Sequence, residues 1–372
     1  MPKSVSLVRP EIRSILPYNA GLTLQEVRDR FDPPQIAKLG SNENPLGPSP
    51  AVAASLANSI ELFRLYPDPS GRELAQRLAA DFAVSDSRII LGNGSEDLIA
   101  VVARTVLRPG DRVITLYPSF PLHEDYATLM GAKVDRVGLR ADLSIDTEAL
   151  LAAVAGPARM VIFANPMNPV GSWLTSGELG QVIAAVDDNA LIVIDEAYAE
   201  YAAGNDYSSA LPLLERSGKP WVVLRTFSKA YGLAGLRIGF GVVSDPELRS
   251  YLDRARTPFN TNAIAQAAAV LALGDTDHLH ATVAHATRER ERVKTALLQR
   301  GLRVAPSKGN FLFIDVGRNG SIVAEALLRQ GVIVKPWKQP GYENFIRVSI
   351  GTSEENDLFT TALASALRDH SS

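Results

Sequence analysis

Short, largely aliphatic runs recur between residues 70 and 255, and each of them ends at a polar or glycine-rich segment. The runs lie at 88–91, 112–116, 160–164, 191–194 and 221–224. Consecutive apolar residues are typical of strands that are buried on both faces of a parallel sheet. Helical patterns separate the runs, so we predict a large, doubly wound, mostly parallel α/β sheet.

Beyond residue 260 the pattern changes to long helices and short strands. Helical stretches at 263–273 and 282–300 come first. Short strands are then predicted at 302–305, 311–316, 332–334 and 345–350, with helices at 321–330 and 354–368. This order indicates a smaller α+β domain at 261–372, preceded by the large domain at 41–260.

One lysine stands in the turn that follows the run at 221–224. Thr226 and Ser228 precede Lys229 closely, and Arg237 ends the glycine-rich turn after it. A lysine amine forms a Schiff base with an aldehyde, while hydroxyls and a guanidinium are donors for a phosphate. An aldehyde and a phosphate on one ligand describe pyridoxal phosphate. A solvated loop lysine is the alternative that this segment alone leaves open.

Polar side chains after two further runs fit the ring of the same ligand. Asp195 ends the run at 191–194, at the edge where open α/β sheets bind ligands. A carboxylate there is the partner that a protonated pyridine nitrogen needs, and Tyr198 follows as a donor for the ring O3′. Asn168 begins the second of two Asn-Pro steps that restrict the backbone, so its amide is predicted to bond O3′ too. A strand-end cap for Asp195 and a purely structural turn at Asn168 stay open.

Two more strand ends complete the predicted ligand site. Gly94, Ser95 and Glu96 lie where a strand passes into a helix, and the free N–H groups of a helix N-terminus bind phosphate. Phe120 follows the run at 112–116 and is predicted to stack on the pyridine face. Glycine-rich turns of this kind are common in α/β proteins, and a core aromatic is the alternative for Phe120.

Composition narrows the class of protein. The 372 residues include 38 basic and 41 acidic ones, which gives a net charge of -3 and no electrostatic signature of nucleic-acid binding. The chain has no cysteine, so neither a disulfide framework nor a thiol nucleophile is expected. Residues 1–10 lack the apolar run of a signal peptide, and no stretch approaches 18 apolar residues. We therefore expect no membrane span and a cytoplasmic location.

The histidines and the densest charge cluster carry no predicted chemistry. His278, His280 and His285 lack the spacing of a helical zinc site, so no metal is expected and surface positions are favoured. The segment 288–292 alternates in charge and is predicted to be a solvated helix face.

The order of the segments described above resembles fold-type I pyridoxal-phosphate aminotransferases, which have the aspartate-aminotransferase-like fold. It is similar in particular to their histidinol-phosphate aminotransferase branch. The core Ser228-Lys229-x-x-x-Leu233-x-Gly235-x-Arg237 is highly specific for this superfamily. The resemblance extends from the segment at 39–45 to the segment at 346–351, which is nearly the whole chain.

The resemblance implies a two-stage reaction with a small-molecule amino donor and a 2-oxo acid acceptor, with ping-pong kinetics. Lys229, Asp195 and Tyr198 would be the catalytic residues, within the large cofactor-binding domain. Residues 1–40 would form an arm that packs as part of the small domain. The implied substrate-binding residues are Tyr18, Asn44, Tyr66, Lys335 and Arg347. Tyr66 would reach the site of the neighbouring subunit of a homodimer. Plain turn and packing roles remain alternatives for Asn44 and Tyr18, and a surface arginine for Arg347.

One departure from the branch bears on the substrate. Lys335 stands in the segment Val332-Ile333-Val334-Lys335, where the branch generally has arginine, and lysine lacks the guanidinium fork. Histidinol phosphate with 2-oxoglutarate is the favoured pair. An aromatic aminotransferase and a decarboxylase of the threonine-phosphate type are alternatives on the same scaffold. A non-catalytic relic is disfavoured because Lys229, Asp195 and Arg237 are all present.

Overall fold

The computed structural model describes residues 7–19, 21–56, 59–202, 204 and 206–368. Residues 1–6 of the predicted arm therefore lie outside the described residues. Thirteen strands are found in this part of the chain: β1 Ala37–Lys38, β2 Ile89–Gly92, β3 Arg112–Leu116, β4 Lys133–Val137, β5 Met160–Ala164, β6 Leu191–Asp195, β7 Trp221–Thr226, β8 Gly239–Val243, β9 Arg303–Val304, β10 Phe311–Asp315, β11 Val332–Ile333, β12 Lys335–Pro336 and β13 Phe345–Ser349.

The helices of the described residues surround these strands. They are α1 Pro10–Arg13, α2 Leu24–Phe31, α3 Pro50–Leu56, α4 Arg72–Phe82, α5 Ser95–Val106, α6 Pro121–Leu129, α7 Thr147–Val154, α8 Ser176–Ala185, α9 Ala199–Ala202, α10 Leu211–Glu215, α11 Pro246–Ala255, α12 Ala263–Gly274, α13 Thr276–Gln299, α14 Gly320–Arg329 and α15 Ser353–Arg368. None of these helices combines the length and apolar content that crossing a membrane requires.

The main sheet has seven strands in the order β2-β8-β7-β6-β5-β3-β4. Strands β4, β3, β5, β6 and β7 are parallel, so their carboxyl ends meet at one edge. The five buried positions of β5 and of β6 explain why their aliphatic runs predict them so well. The predicted mostly parallel α/β sheet is confirmed.

Two strands of this sheet are absent from the sequence prediction. β8 pairs antiparallel with both β2 and β7, and its glycines weaken the aliphatic pattern. These glycines are needed because the neighbours approach closely: a Cβ on Gly239 would lie 2.4 Å from the Ser95 nitrogen. β4 is the edge strand and is mostly exposed, so its sequence carries several charges.

The C-terminal part forms an antiparallel sheet in the order β12-β13-β10-β9. The N-terminal segment packs with this part, because β1 pairs in parallel with β11 in a separate two-stranded sheet. Val27 of α2 packs in one cluster with Leu328 and Ile333. Helix α12 instead packs on α3 and α4 of the preceding part. The domain limits at 40 and 260 stay a prediction.

The predicted solvated face at 288–292 is wrong for two of its residues. Glu289 and Arg290 are buried, because α13 packs against α15 on one side and β10 on another. The Glu289 carboxylate accepts from Arg292 and Asn356, while Arg290 donates to the Gly309 carbonyl at 2.8 Å. Their charges are thus paired inside the helix packing.

The predicted surface positions of the histidines hold only in part. His280 is exposed, whereas His278 and His285 are half-buried. His278 Nε2 lies 3.1 Å from the Gly47 carbonyl oxygen, and His285 Nε2 lies 2.9 Å from the Gly351 carbonyl oxygen.

Candidate active site

A cleft of about 460 Å³ opens at the carboxyl ends of β5, β6 and β7. The opposite wall is formed by β13, Lys335 and the segments 18–19 and 40–42. Most of the predicted site residues line this cleft: Tyr18, Ser95, Glu96, Phe120, Asn168, Asp195, Tyr198, Thr226, Ser228, Lys229, Arg237, Lys335 and Arg347. Segments far apart in sequence are thereby brought to one place.

Lys229 lies in the loop that follows β7 and points into the cleft. Its Nζ donates to the Ser41 carbonyl at 3.0 Å and lies 5.9 Å from the centroid of the Tyr198 ring. Burial, aided by the positive charge of Arg347, lowers the pKa of Lys229 from 10.5 to about 8. Roughly a tenth of this amine is therefore neutral at pH 7, in the form that a nucleophile or a base requires.

Asp195, the last residue of β6, is buried and has a partner that the sequence does not reveal. Its Oδ1 accepts from the Ala197 nitrogen at 3.0 Å, and its Oδ2 lies 3.2 Å from His123 Nε2. His123 is 1% exposed and contacts the Phe120 ring edge-on. His123 lies in the first turn of α6, three residues after Phe120. In the sequence, this spacing is the signal that both side chains lie on one face of the helix.

The N-terminus of α5 and Arg237 form a cradle for an anion. Gly94 precedes α5 with φ of +85°, and a Cβ added to it would lie 2.4 Å from Arg237 Nη2. Arg237 Nη1 lies 3.4 Å from the Ser228 hydroxyl. The Glu96 carboxylate accepts from Tyr126 at 2.5 Å and stands 3.8 Å from Arg237. Glycine at position 94 suits the positive φ and lets the guanidinium approach the helix N-terminus without being displaced.

A second group of cations lies across the cleft. Arg347 is buried and donates to Asn168 Oδ1 at 2.7 Å and to the Gly40 carbonyl at 2.8 Å, while its Nε has no protein partner among the described residues. Lys335 donates to the Asn19 carbonyl and lies over the Tyr18 ring. Burial lowers the pKa of Lys335 from 10.5 to about 8, with a contribution from Arg347.

Three predicted residues have other positions. Asn44 does not line the cleft: its amide donates to the Ala230 carbonyl at 3.1 Å and to the Thr282 hydroxyl at 3.2 Å. Tyr66 is 82% exposed and stacks on Phe259, away from the cleft of its own chain. Gly94 has no side chain and is not among the residues that line the cleft, whereas the next residue, Ser95, lines it.

Asn42 also lines the cleft, although no motif of the sequence distinguishes it from its neighbours. Its Nδ2 donates to the Tyr198 hydroxyl at 2.9 Å, and its own backbone nitrogen donates to the Ser349 hydroxyl at 2.7 Å. Asn42 and Asn44 stand two positions apart in one loop, so the local sequence does not tell which of them faces the site.

The arrangement has two groups of cations in one cleft with an amine. Arg237 lies beside the α5 N-terminus, and Arg347 lies beside Lys335. Lys229 and Asp195 line the same cleft. Within the described part of the chain no cluster of three metal-binding side chains is found. The cleft is thus suited to a ligand with two anionic ends and a carbonyl that an amine attacks.

Known proteins are similar to this chain in sequence and in fold. The sequence pattern of the family "Aminotransferase class I and II" matches residues 34–363. The chain is 60% identical to histidinol-phosphate aminotransferase 1 of Mesorhizobium japonicum, over 99% of this chain and 100% of that protein.

Solved structures agree with the sequence comparison. A crystal structure of histidinol-phosphate aminotransferase from Sinorhizobium meliloti, in complex with pyridoxal-5'-phosphate, superposes with a TM-score of 0.89 at 31% identity, covering 98% of both chains. A Thermus thermophilus aspartate aminotransferase double mutant superposes with a TM-score of 0.81 at 23% identity, over 97% of this chain and 99% of that one. The predicted aspartate-aminotransferase-like fold is confirmed.

Proposed function

The chain belongs to the class I and II aminotransferase family, and on that premise we propose that it transfers the amino group of histidinol phosphate to 2-oxoglutarate with pyridoxal phosphate as cofactor. The resemblance predicted from the Ser-Lys motif is confirmed for the family. The substrate assignment is supported by a relative of that name with 60% identity over its full length.

The observation that carries the proposal is the meeting of Lys229 and Asp195 in one cleft. They come from the ends of the adjacent parallel strands β7 and β6. Burial keeps the pKa of Lys229 near 8, so its amine is available to an aldehyde at neutral pH. Asp195 supplies the buried carboxylate that a protonated ring nitrogen needs.

The residues of the cleft fit pyridoxal phosphate. Its phosphate would lie where Gly94, Ser95 and Arg237 come close together. The guanidinium, a hydroxyl and main-chain N–H groups are the donors there. Phe120 lines the cleft and contacts His123, which in turn contacts Asp195. Its ring is therefore placed to stack on the ring of the cofactor. When bound, pyridoxal phosphate supplies an aldehyde that joins amines and a ring that accepts the electron pair of a deprotonated carbon.

The chain's own residues then position and move protons. Lys229, once its amine is free, would be the base that takes the proton from the amine-bearing carbon of the substrate. It would return this proton to the carbon of the cofactor that carries the aldehyde. Asp195 holds the ring-nitrogen proton in place, and His123 orients the Asp195 carboxylate. Tyr198 and Asn168 orient the ring oxygen. Asp195, Tyr198 and Asn168 are buried, which limits access of water to the proton transfer.

Arg347 and Lys335 are proposed to hold the anionic end of each substrate in turn. Arg347 lines the cleft and has N–H groups beyond the two that bond Asn168 and Gly40, which can bind an incoming anion. A phosphate in the first half-reaction and a carboxylate in the second both suit a guanidinium fork. One site used alternately by donor and acceptor gives ping-pong kinetics.

A homodimer is proposed from the surface around Tyr66. Ile60, Phe63, Leu65 and Tyr66 are all exposed, although they are large and apolar. Exposed apolar patches of this kind mark protein–protein contacts. A second copy is the partner that would bring Tyr66 to the neighbouring cleft. The cytoplasmic location stays a prediction of the sequence.

The test is a substrate panel monitored by the absorbance of the bound cofactor. Histidinol phosphate, phenylalanine and phosphothreonine are each added without acceptor, and carbon dioxide is measured in parallel. We expect histidinol phosphate to convert the cofactor fastest and 2-oxoglutarate to restore it. Faster conversion by phenylalanine would favour the aromatic aminotransferase that Lys335 leaves open. Carbon dioxide release would indicate the decarboxylase.

A further inference from the structure

Tyr198 is held by a buried network that joins it to the C-terminal sheet. Asn42, Ser349 and Asn310 form this network, and each of them is at most 3% exposed. Asn310 Nδ2 donates to the Asn42 carbonyl at 3.1 Å. Asn42 has φ of +55°, a left-handed conformation that asparagine tolerates better than most residues. The loop is therefore fixed in backbone and side chain.

The hydrogen bonds of Ser349 determine how the Asn42 amide is oriented. The Ser349 hydroxyl accepts from the Asn42 backbone nitrogen at 2.7 Å and donates to Asn42 Oδ1 at 3.1 Å. Since Oδ1 is bound to Ser349, Nδ2 faces the Tyr198 hydroxyl, 2.9 Å away. Within the described residues, Tyr198 accepts this bond and donates none in return.

From this geometry, and resting on the proposed function, we infer that Asn42 is the positioning residue of Tyr198: it fixes the phenol so that its proton points into the cleft. A phenol that accepts from Asn42 has its own O–H free for the oxygen of a bound ring. Burial raises the pKa of Tyr198 to about 12, although the charge of Arg347 and the Asn42 bond both lower it. Asn42 thus favours proton donation from Tyr198.

The test exchanges the donor for an acceptor. In Asn42→Asp the carboxylate accepts the phenol proton and turns it away from the cleft. We expect the NMR signal of the Tyr198 ring carbon that bears the hydroxyl to shift in cofactor-free protein; Tyr198→Phe identifies that signal. In loaded enzyme we expect kcat to fall roughly tenfold with KM nearly unchanged, as for loss of about one charge-assisted hydrogen bond. In the Tyr198→Phe background the same substitution should cost less than about twofold.

Two further variants keep the test decisive. Ser349→Ala removes the anchor of Asn42 without adding charge, and should shift the same Tyr198 signal in the same sense by a smaller amount. Asn356→Asp is the matched control: another buried asparagine, bonded to Glu289 and Gly351, whose loss should lower thermal stability and leave the Tyr198 signal in place. Should Asn42→Asp fail to fold, Ser349→Ala is judged by the same criteria.

An unmoved Tyr198 signal, or losses that multiply in the double variant, would overturn the inference. Because the NMR measurement uses cofactor-free protein, it stands apart from the proposed function. Wild-type protein that binds no pyridoxal phosphate would overturn only the latter.

Discussion

The two walls of the cleft are built in different ways. The cofactor wall, which is proposed to hold pyridoxal phosphate, comes from neighbouring strand ends, with Asp195 at the end of β6 and Lys229 after β7. The substrate wall joins opposite ends of the chain, with Arg347 on β13 and Tyr18 and Gly40 from the N-terminal segment. One wall follows from the order of strands in a sheet, and the other from tertiary packing.

The cations of the two walls differ in their surroundings. Arg237 lies beside the α5 N-terminus, where its guanidinium and main-chain N–H groups can hold a single phosphate together. On the other wall Lys335 and Arg347 are neighbours across β12 and β13. A permanent phosphate suits the helix N-terminus, whereas two alternating substrate anions suit a pair of side-chain cations. The comparison therefore predicts separable effects on cofactor and substrate binding.

The largest effect is expected for the cofactor wall in Lys229→Ala. Without the amine, nothing joins the aldehyde or carries the proton, so turnover should be undetectable while the protein stays folded. Borohydride reduction followed by mass spectrometry should find no adduct at position 229. Lys294→Ala, at a half-buried lysine of α13 near Glu291, is the control and should keep both adduct and activity. An active Lys229→Ala protein would contradict the assignment.

Asp195→Asn should come next. The amide keeps the shape but no longer holds a proton on the ring nitrogen, and it weakens the tie to His123. We expect kcat to fall about a hundredfold to a thousandfold, the range for removing one preorganised electrostatic group. Single-turnover absorbance kinetics measure the loss. Asp135→Asn, at the exposed sheet edge, is the matched control. A loss confined to KM would place Asp195 on the substrate wall instead.

The difference between the walls also explains what the sequence predicts. Asp195, Asn168 and Lys229 each follow a buried aliphatic run, so their common location follows from the parallel sheet. His123 meets Asp195 across 72 positions, and Asn42 meets Tyr198 across 156. No local periodicity encodes such contacts.

The misassigned elements have related physical causes. Glu289 and Arg290 carry the charges of a surface helix, yet α15 and β10 cover them. β8 escapes prediction because close neighbours demand glycine at positions where strands usually have aliphatic residues. In both cases tertiary packing overrides the local pattern.

Arg347→Lys tests whether the substrate wall acts separately. Lysine keeps the charge but loses the fork, so the bonds to Asn168 and Gly40 cannot both persist. We expect KM for donor and acceptor to rise roughly tenfold to a hundredfold, as for loss of a bidentate pair. The dissociation constant of pyridoxal phosphate, measured by fluorescence, should change little. Equal weakening of cofactor and substrates would show that the two walls are coupled.

The smallest effect is expected from Lys335 and depends on pH. Burial, aided by the charges of Arg347 and Lys338, lowers the pKa of Lys335 from 10.5 to about 8. The ammonium is therefore charged below pH 8 and becomes neutral above it, so attraction for an anionic substrate should fade as pH rises from 7 to 9. Arginine stays charged throughout this range.

The measurement is the ratio of kcat/KM between wild type and Lys335→Arg, since kcat/KM reports groups of the free enzyme and titrations common to both proteins cancel. We expect the ratio to fall roughly threefold to tenfold between pH 7 and 9. Lys335→Met, which has no charge to lose, should have a higher KM and follow the pH profile of the arginine variant. A constant ratio would mean that the Lys335 ammonium keeps its proton in this range or does not meet the substrate anion. In the latter case the substrate wall would depend on Arg347 alone.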